Sequence, residues 1–597
     1  MKHPCHHCRV RIGGACGFWG DSATATPQLL AVPGLQYLVY DYLAESTMSI
    51  MSRARSKNPA LGYVTDFVDA AMAAHLAEIL QRGIRVVANA GGLNPQACRD
   101  ALLAVAARQG LRPKVALVTG DDVMASMPDW CAKGLDDMHT GEPAPPHLMS
   151  ANAYVGAQGI ARALDWGADV VITGRCVDSA VVVGPLVHEF GWSWDDWDRL
   201  ASATLAGHVI ECGAQATGGL FTDWQLVQGW DRIGYPVIDC ADDGSFVLSK
   251  PQGSGGLIHP AAVAEQILYE VGDPGAYLMP DVTCDFRHVR TEALDTDHVF
   301  VSGARGRPPG THYKCNGTWH DGYQIALALA IRGVDAPRKA QRTADALLAR
   351  TRRMMFGKGY PDYAATSVEP IGCEALYGPN ARVLATREVL LRLAARHPAA
   401  EALQFLQREC ASAGTSMAAG TRSALFGRAD VQQVVKVFSF LAPKREVPLT
   451  VSMQGRQERL DVAAAVGENP PARALAPPQP WTAPGGPVVS VPLITLAWAR
   501  SGDKGDDENI GVIAREPRYL PLLRAQLSAC AVRGWFSHLL EGEVERYEVP
   551  GLNALNFVLH QALGGGGSAS LRSDPLGKSF AQMLLDFPLS VPAAWVN

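Results

Sequence analysis

RVVANAGGLNP, residues 85–95, decides how this chain folds. A run of β-branched and small apolar residues stops at Gly91-Gly92. An Asn-Pro pair then caps a helix and fills its first turn, where the missing proline N–H costs nothing. The unit is buried strand, glycine loop, helix, and it recurs on both sides. Arg9–Ile12 (RVRI) runs into Gly13-Gly14, Lys114–Thr119 (KVALVT) into Gly120, and Asp169–Thr173 (DVVIT) into Gly174. Short β-branched runs of this kind read as buried parallel strands. Between them, Val68, Met72, Leu76, Ile79 and Leu80 share one helix face, and Cys98, Leu102, Val105 and Ala106 share another. The repetition predicts an α/β fold with a mostly parallel sheet flanked by helices.

Beyond about residue 207 the pattern loosens into glycine-rich stretches, ECGAQATGG at 211–219 and KPQGSGG at 250–256, with a helix over 262–270. Residues 280–465 read as mixed strand and helix, a subdomain of a body spanning 9–465. The segment 466–487 is a linker: seven prolines within Asn469–Pro487 exclude helix and central strand. After it, Val491–Trp498, Asn509–Ala514, Val544–Val549 and Ala554–Leu559 are strand candidates. Leu520, Leu523, Leu527 and Cys530 mark a helix, as do Phe580, Met583 and Leu584. A small α+β domain over 488–597 follows, an antiparallel sheet with two helices on one face.

Composition narrows the functional classes. The 597 residues are 48% hydrophobic and 19% charged, which is globular rather than disordered. A formal net charge of −6 argues against a nucleic-acid surface. No apolar run reaches the roughly 18 residues of a membrane span, and the start has no secretory apolar stretch. Thirteen scattered cysteines fit a reducing cytoplasm. Cys5-His6-His7-Cys8 has metal-ligand chemistry but no second ligand pair nearby, so it also reads as an unstructured start.

Ligands of open parallel sheets bind outside the carboxyl ends of the strands. Four loops belong there. Gly13-Gly14-Ala15-Cys16-Gly17-Phe18-Trp19-Gly20-Asp21 lets backbone N–H groups approach an anion, or is a tight turn. Its spacing matches neither the dinucleotide fingerprint nor a phosphate loop, so no nucleotide cofactor is implied. Asn89, Gly91 and Gly92 open a helix whose amides suit an anion or serve a simple cap. Asp121-Asp122 suits a divalent cation or a helix start; no other feature specifies a metal. In Gly174-Arg175-Cys176-Val177-Asp178-Ser179, Arg175 offers a planar fork to a carboxylate or phosphate, and Asp178 is a base or an N-cap.

Glu211 beside Cys212 is a general acid/base; His208 is close in sequence, and covalent chemistry at Cys212 is the weaker reading. Gln215 lines the same loop. Asp273 and Asp281 read as turn residues, with Asp281 also facing the cleft. In the small domain, Arg500-Ser501-Gly502-Asp503-Lys504-Gly505-Asp506 reads as a charged loop between strands, with Asp503 and Lys504 as ligand contacts, or as a solvated turn. Gly564–Gly567 is too loosely spaced from Lys578 to bind a nucleotide.

These residues carry a family resemblance. RIGGACGFWGDS, NAGGLNP, DVVITGRCVDSA, ECGAQATGG, KPQGSGG and DPGAYLMPDVTCDF resemble the acyclic terpene utilisation family, AtuA. WARSGDKGDDENIGVIAR and LGGGGSASLRSD resemble the ferredoxin-fold-like domain fused to or paired with it. The likeness runs from about Arg9 to the end; the MKHPCHHC leader matches no family motif. It implies catabolism of citronellol- and geraniol-like compounds through acyl-CoA intermediates, and carries over no catalytic residue.

Residues and resemblance together lead to a hydratase or lyase acting on a carboxylate or acyl-CoA, with Glu211 or Asp178 moving the proton and Arg175 and the glycine loops holding the oxygen. The alternatives are a non-catalytic subunit of an acyl-CoA-processing complex and a metal-dependent hydrolase using Asp121 and Asp122. The partners expected are a small carboxylate or acyl-CoA, no nucleic acid and no membrane, within a homo-oligomer or an acyl-CoA enzyme complex.

Overall fold

The structure is a computed structural model that describes residues 9–424, 428–462, 472–477, 481–482 and 485–595. The Cys5–Cys8 ligand candidates and half of the 466–487 linker lie outside these residues.

Six strands open the chain: β1 (Arg9–Gly14), β2 (Tyr37–Tyr40), β3 (Arg85–Ala88), β4 (Val115–Thr119), β5 (Ser150–Ala153) and β6 (Val170–Thr173). All but β5 run parallel, in the order β1-β2-β3-β6-β4. Successive residues of these strands face opposite cores, as the pleat demands: Val87 and Val171 join one, and Val86, Ala88, Val170 and Ile172 the other. Helices cover both faces. One of them, Pro95–Arg108, carries the predicted cap, with Asn94 accepting from Ala97 N at 3.3 Å. The predicted helix over 68–80 begins as a π-helical stretch, Phe67–Met72, and continues as Ala73–Gln81.

The sheet is not mostly parallel, and this corrects the sequence expectation. It has eleven strands. Outside the parallel centre, β7 (Val237–Ala241) and β8 (Phe246–Ser249) add antiparallel beside β1, followed by His298–Ser302 and Arg290–Asp295. Leu449–Met453 and Arg456–Leu460 add antiparallel beyond β4. A tight turn joins β7 to β8, with Ser245 N donating to Asp243, so no crossover helix is needed and the pair must be antiparallel.

Between these edges the chain builds a second sheet on one 21-residue strand, His312–Arg332. Strands Glu388–His397, Gln432–Pro443, Thr421–Ser423 and β5 all pair with it. Helices Ala336–Phe356 and Ala400–Glu409 pack on it through Leu347, Leu403 and Leu406. Because β5 leads directly to Tyr154, this sheet is anchored beside the carboxyl ends of the parallel strands.

The C-terminal domain is an antiparallel sheet of Ala497–Lys504, Asp507–Ala514, Ala554–Leu559 and Val544–Val549. Its helices are Leu520–Gln526, Ala529–Trp535 and Phe580–Leu584. The charged stretch read as a loop is mostly strand: pairing continues to Lys504 opposite Asp507, and only Gly505-Asp506 turn, with Gly505 at φ 69°. This sheet packs on helix Pro260–Leu268, every residue of which after Pro260 is buried between the two domains. Asn509 donates to Leu268 O (2.7 Å), Asn556 to Val271 O (2.8 Å), and Arg515 forks onto Asp223 at 2.7 and 2.6 Å. Two such polar anchors on one helix end fix the relative placement of the domains.

The glycines after β1 serve close packing. A Cβ on Gly17 would lie 2.6 Å from the Cys212 carbonyl carbon, and one on Gly13 would meet only the Leu29 side-chain tip at 2.9 Å. Backbone cannot yield where a leucine tip can. We expect Gly17→Ala to destabilise the chain by about 1–3 kcal/mol and Gly13→Ala by clearly less in urea unfolding; equal effects would contradict this packing.

Candidate functional site

The carboxyl ends of the parallel strands do converge, and the groups they bring together are acids. β2 ends at Asp41, a residue the sequence reading passed over. Asn89, at the end of β3, donates to Asp41 Oδ1 at 2.5 Å and accepts from Tyr42 N at 2.8 Å. It thus aims a carboxyl and contacts no open space, being fully buried. Past β6, Asp178 lies one turn from Arg175. Glu211 ends the helix Trp197–Ile210. Oxygens of Asp41, Asp178 and Glu211 lie within 4.8 Å of one another.

Each acid has a different environment. Asp178 is paired to Arg175 Nη1 at 2.6 Å and keeps 35% of its side chain open. Burial lifts the Asp41 carboxyl well above the usual range, and the charges of Asp178 and Glu211 lift it further. Burial raises Glu211 to about 6 against the pull of His208, whose Nδ1 lies 2.9 Å from Glu211 Oε1. The other ring nitrogen, Nε2, faces Ile267 O at 3.2 Å. Burial opposes a charge on His208, but Glu211 outweighs it and the imidazole pKa rises. Hence the histidine near Cys212 in sequence serves Glu211. Burial and the neighbouring acids hold the Cys212 thiol protonated, which corrects the covalent reading.

Arg175 is 2% exposed, and its guanidinium carbon lies over the Tyr154 ring at 4.0 Å. Its backbone N–H donates to Asp121 Oδ2 at 2.8 Å, and Asn152 Nδ2 donates to the same oxygen. Asp121 therefore clamps the β6 loop to the end of β4, and Asp122 accepts from Met124 N. They form no joint cation site, so the metal-hydrolase reading loses its ligands. The donor chemistry of a divalent cation belongs instead to Asp41, Asp178 and Glu211.

The second sheet adds one wall. Lys314, Asn316 and Thr318 alternate along one face of the long strand. Asn316 and Thr318 line a narrow crevice with Glu45, Met48, Tyr154 and Arg175. Tyr154 donates to Glu45 Oε1 at 2.7 Å, and Lys314 Nζ lies 3.9 Å from the same oxygen. Burial works against the Glu45 charge, but Lys314 and Arg175 prevail and hold its pKa at about 2.

The C-terminal domain adds the other wall. Lys504 lies over the Tyr277 ring at 5.6 Å, and its charge is felt at both His208 and Lys314. Asp503 and Glu270 share Lys578 at 2.8 and 3.2 Å. Glu270 sits at φ 58°, an uncommon conformation for a non-glycine residue, with Gly502 pressed against it. Glu45, Asp178, Lys314 and Lys578 stay 35–41% open although protein surrounds them, as groups on the walls of a deep cleft do.

Several expected contacts lie elsewhere. Asp21 closes its own turn, accepting from Gly17 N (2.9 Å) and Tyr235 OH (2.6 Å). Added Cβ atoms on Gly14, Gly91 and Gly92 would strike Ile210 O, Thr173 O and Met51 Sδ, so these glycines close the wall behind the acids. Gln215 accepts from Arg500 across the domain seam at 2.5 Å. Asp281 accepts from Ala157 N at 2.7 Å, and Asp273 from Gly275 N. Sequence reasoning missed Asp41, Glu45, Tyr154, Lys314 and Glu270; the signal available for Asp41 was the run YLVYD, a strand ended by an acid.

Residues 10–453 match the family described as acyclic terpene utilisation family protein AtuA, and residues 491–590 match the AtuA ferredoxin-like domain. No curated protein and no solved structure matches the chain. Among the described residues, no helix is long and apolar enough to cross a membrane.

The raised carboxyl of Glu211 has a stability signature. An acid whose folded pKa exceeds its unfolded value stabilises the fold at low pH, and that contribution is lost as pH rises through the folded pKa. Between its ordinary 4.5 and about 6, Glu211 accounts for a loss of about 2 kcal/mol. Thermal unfolding across this window should be flatter for Glu211→Gln than for wild type; parallel profiles would refute the assignment.

Proposed function

Because the chain belongs to the acyclic terpene utilisation family, we propose that its cleft eliminates or adds water at a carbon beside the carbonyl of a branched, acyclic carboxylate or acyl-CoA. The observation that carries this reading is that three adjacent carboxyls have unlike surroundings: Asp178 is partly open and held by a guanidinium, whereas Asp41 and Glu211 are buried and raised. A buried carboxyl with a raised pKa serves as an acid at a pH where an ordinary carboxylate is ionised. Asp178, ion-paired to Arg175, is the base. Glu211, raised to about 6 and backed by His208, is the acid.

In the elimination direction Asp178 removes the proton next to the carbonyl. The carbanionic charge passes onto the carbonyl oxygen, stabilised by Arg175 or Lys504. The electron pair then forms the double bond as the hydroxyl leaves, and the Glu211 proton completes a water molecule. Hydration is the reverse. Asp41 shares the proton inventory, and Asn89 fixes its direction.

A second reading, a docking subunit of an acyl-CoA-processing complex, draws on one surface feature. Trp224 and Trp230 are 55% and 60% exposed and meet edge to face at 6.0 Å, close in sequence to exposed Leu220 and Leu226. Exposed tryptophans of this kind are enriched at interfaces. Recovery of a carboxylase or dehydrogenase on the wild-type chain, lost in Trp224→Ser, together with intact pathway function in Glu211→Gln, would favour it over catalysis.

The catalytic reading is tested on a panel of branched hydroxy and enoyl acids and thioesters. Asp178→Asn and Glu211→Gln should each lower kcat by about 10²–10⁴, while Asp21→Asn stays near wild type. The dehydration rate should fall as pH rises above about 6, when Glu211 loses its proton. A panel left unchanged by wild type, or a Glu211→Gln variant of full activity, would overturn it.

A further inference from the structure

We infer that the group received in this cleft is a free carboxylate, taken on the unpartnered Nε of Arg175 with Lys314 as the second cation; this rests on the reading of the cleft as an acid–base site and names its substrate class. Arg175 makes its hydrogen bonds to protein side chains and carbonyls through Nη1, which donates to Cys176 O and to Asp178 Oδ1, both at 2.6 Å. Its Nε is buried and has no partner. A buried donor with no acceptor is costly and uncommon, and a guanidinium presents its donors in one plane. The Tyr154 ring centroid lies 4.0 Å from the guanidinium carbon. An acceptor for Nε must therefore arrive edge-on, the approach for which the two coplanar oxygens of a carboxylate are shaped. A thioester offers a single carbonyl oxygen.

Lys314 supplies the complementary observation. It lies over the same Tyr154 ring at 5.4 Å, and among the described residues its only ion-pair partner, Glu45, is at 3.9 Å, beyond hydrogen-bond reach. Burial, together with the Lys504 and Arg175 charges, makes its own charge costly, and Glu45 compensates only in part. Lys504 forms no ion pair among the described residues. Lys314 and Lys504 thus lie close enough to Arg175 for the charges to oppose one another at Lys314, with no ion pair to either lysine shorter than 3.9 Å among the described residues.

The test is calorimetric titration of the full chain near neutral pH with β-hydroxyisovalerate, its methyl ester and its coenzyme A thioester. The acid should bind at least tenfold more tightly than the ester or the thioester. Arg175→Gln should abolish that preference. Since Arg175 is buried and its replacement threatens the fold itself, Lys314→Met, at a partly open position, serves as the second probe and should weaken the acid at least tenfold without changing the ester. Equal or tighter binding of the thioester, unchanged acid affinity in Lys314→Met, or no binding of the acid at millimolar concentration would each overturn the inference. If the acid binds as expected and is never dehydrated, the acid–base reading fails and this one stands. If the thioester is turned over with an affinity indifferent to Lys314, the reverse holds.

Discussion

Three carboxyl groups whose oxygens lie within 4.8 Å of one another cannot all be ionised in a recess of protein. At an effective dielectric of about 20, each pair of charges at that separation repels by on the order of 3 kcal/mol. The fold answers this constraint in three ways. Arg175 neutralises Asp178, His208 sits behind Glu211, and burial returns a proton to Asp41. The Asp121 carboxylate that grips the Arg175 backbone belongs to the same solution, because it fixes the loop from which both Arg175 and Asp178 project.

The surrounding architecture reads as support for that arrangement. Parallel strands bring Asp41, Asn89 and Arg175 to one edge. The long strand of the second sheet brings Lys314 and Asn316, and the C-terminal hairpin brings Asp503 and Lys504. The cleft is closed by two domains, so the ferredoxin-like domain is a wall of the site. Its placement is set by polar anchors on the end of helix Pro260–Leu268 and by the Arg515–Asp223 fork. A proton-transfer pair in a cleft of this kind works on differential stabilisation of charge as it develops, and a rigid two-domain frame provides fixed dipoles for that.

Much of the frame was legible in the sequence because it rests on short-range rules. RVVANAGGLNP folds as strand, turn and capped helix, and Val544–Val549 and Ala554–Leu559 are strands with the bounds the alternation suggests. The antiparallel wings were not legible in the same way. Their strands return to the sheet after long excursions, and pairing between Leu449–Met453 and β4 has no local signature. For the site, Asp178, Glu211, Arg175 and Lys504 stood out as charged residues in glycine-bounded loops. Asp41 and Glu45 did not, because β2 ends in an acid instead of glycine. Lys314 lies inside a strand, where alternation gives its face and not its neighbour. The glycine loops were misweighted for a related reason: a glycine needed for close packing against Ile210 or Cys212 looks, in sequence, the same as one needed for an anion.

The central claim is that the Asp41–Asp178–Glu211 cluster holds a transferable proton up to about pH 6, above the ordinary carboxylate range. Infrared difference spectroscopy of the full chain against Asp41→Asn and against Glu211→Gln measures this directly through the carboxylic-acid carbonyl stretch. The account predicts protonated carboxyl bands that persist well above the ordinary titration of about 4, shift in heavy water and disappear in the corresponding variant. Spectra in which both acids titrate with the exposed carboxylates, leaving no such band between about pH 5 and 6, would contradict it.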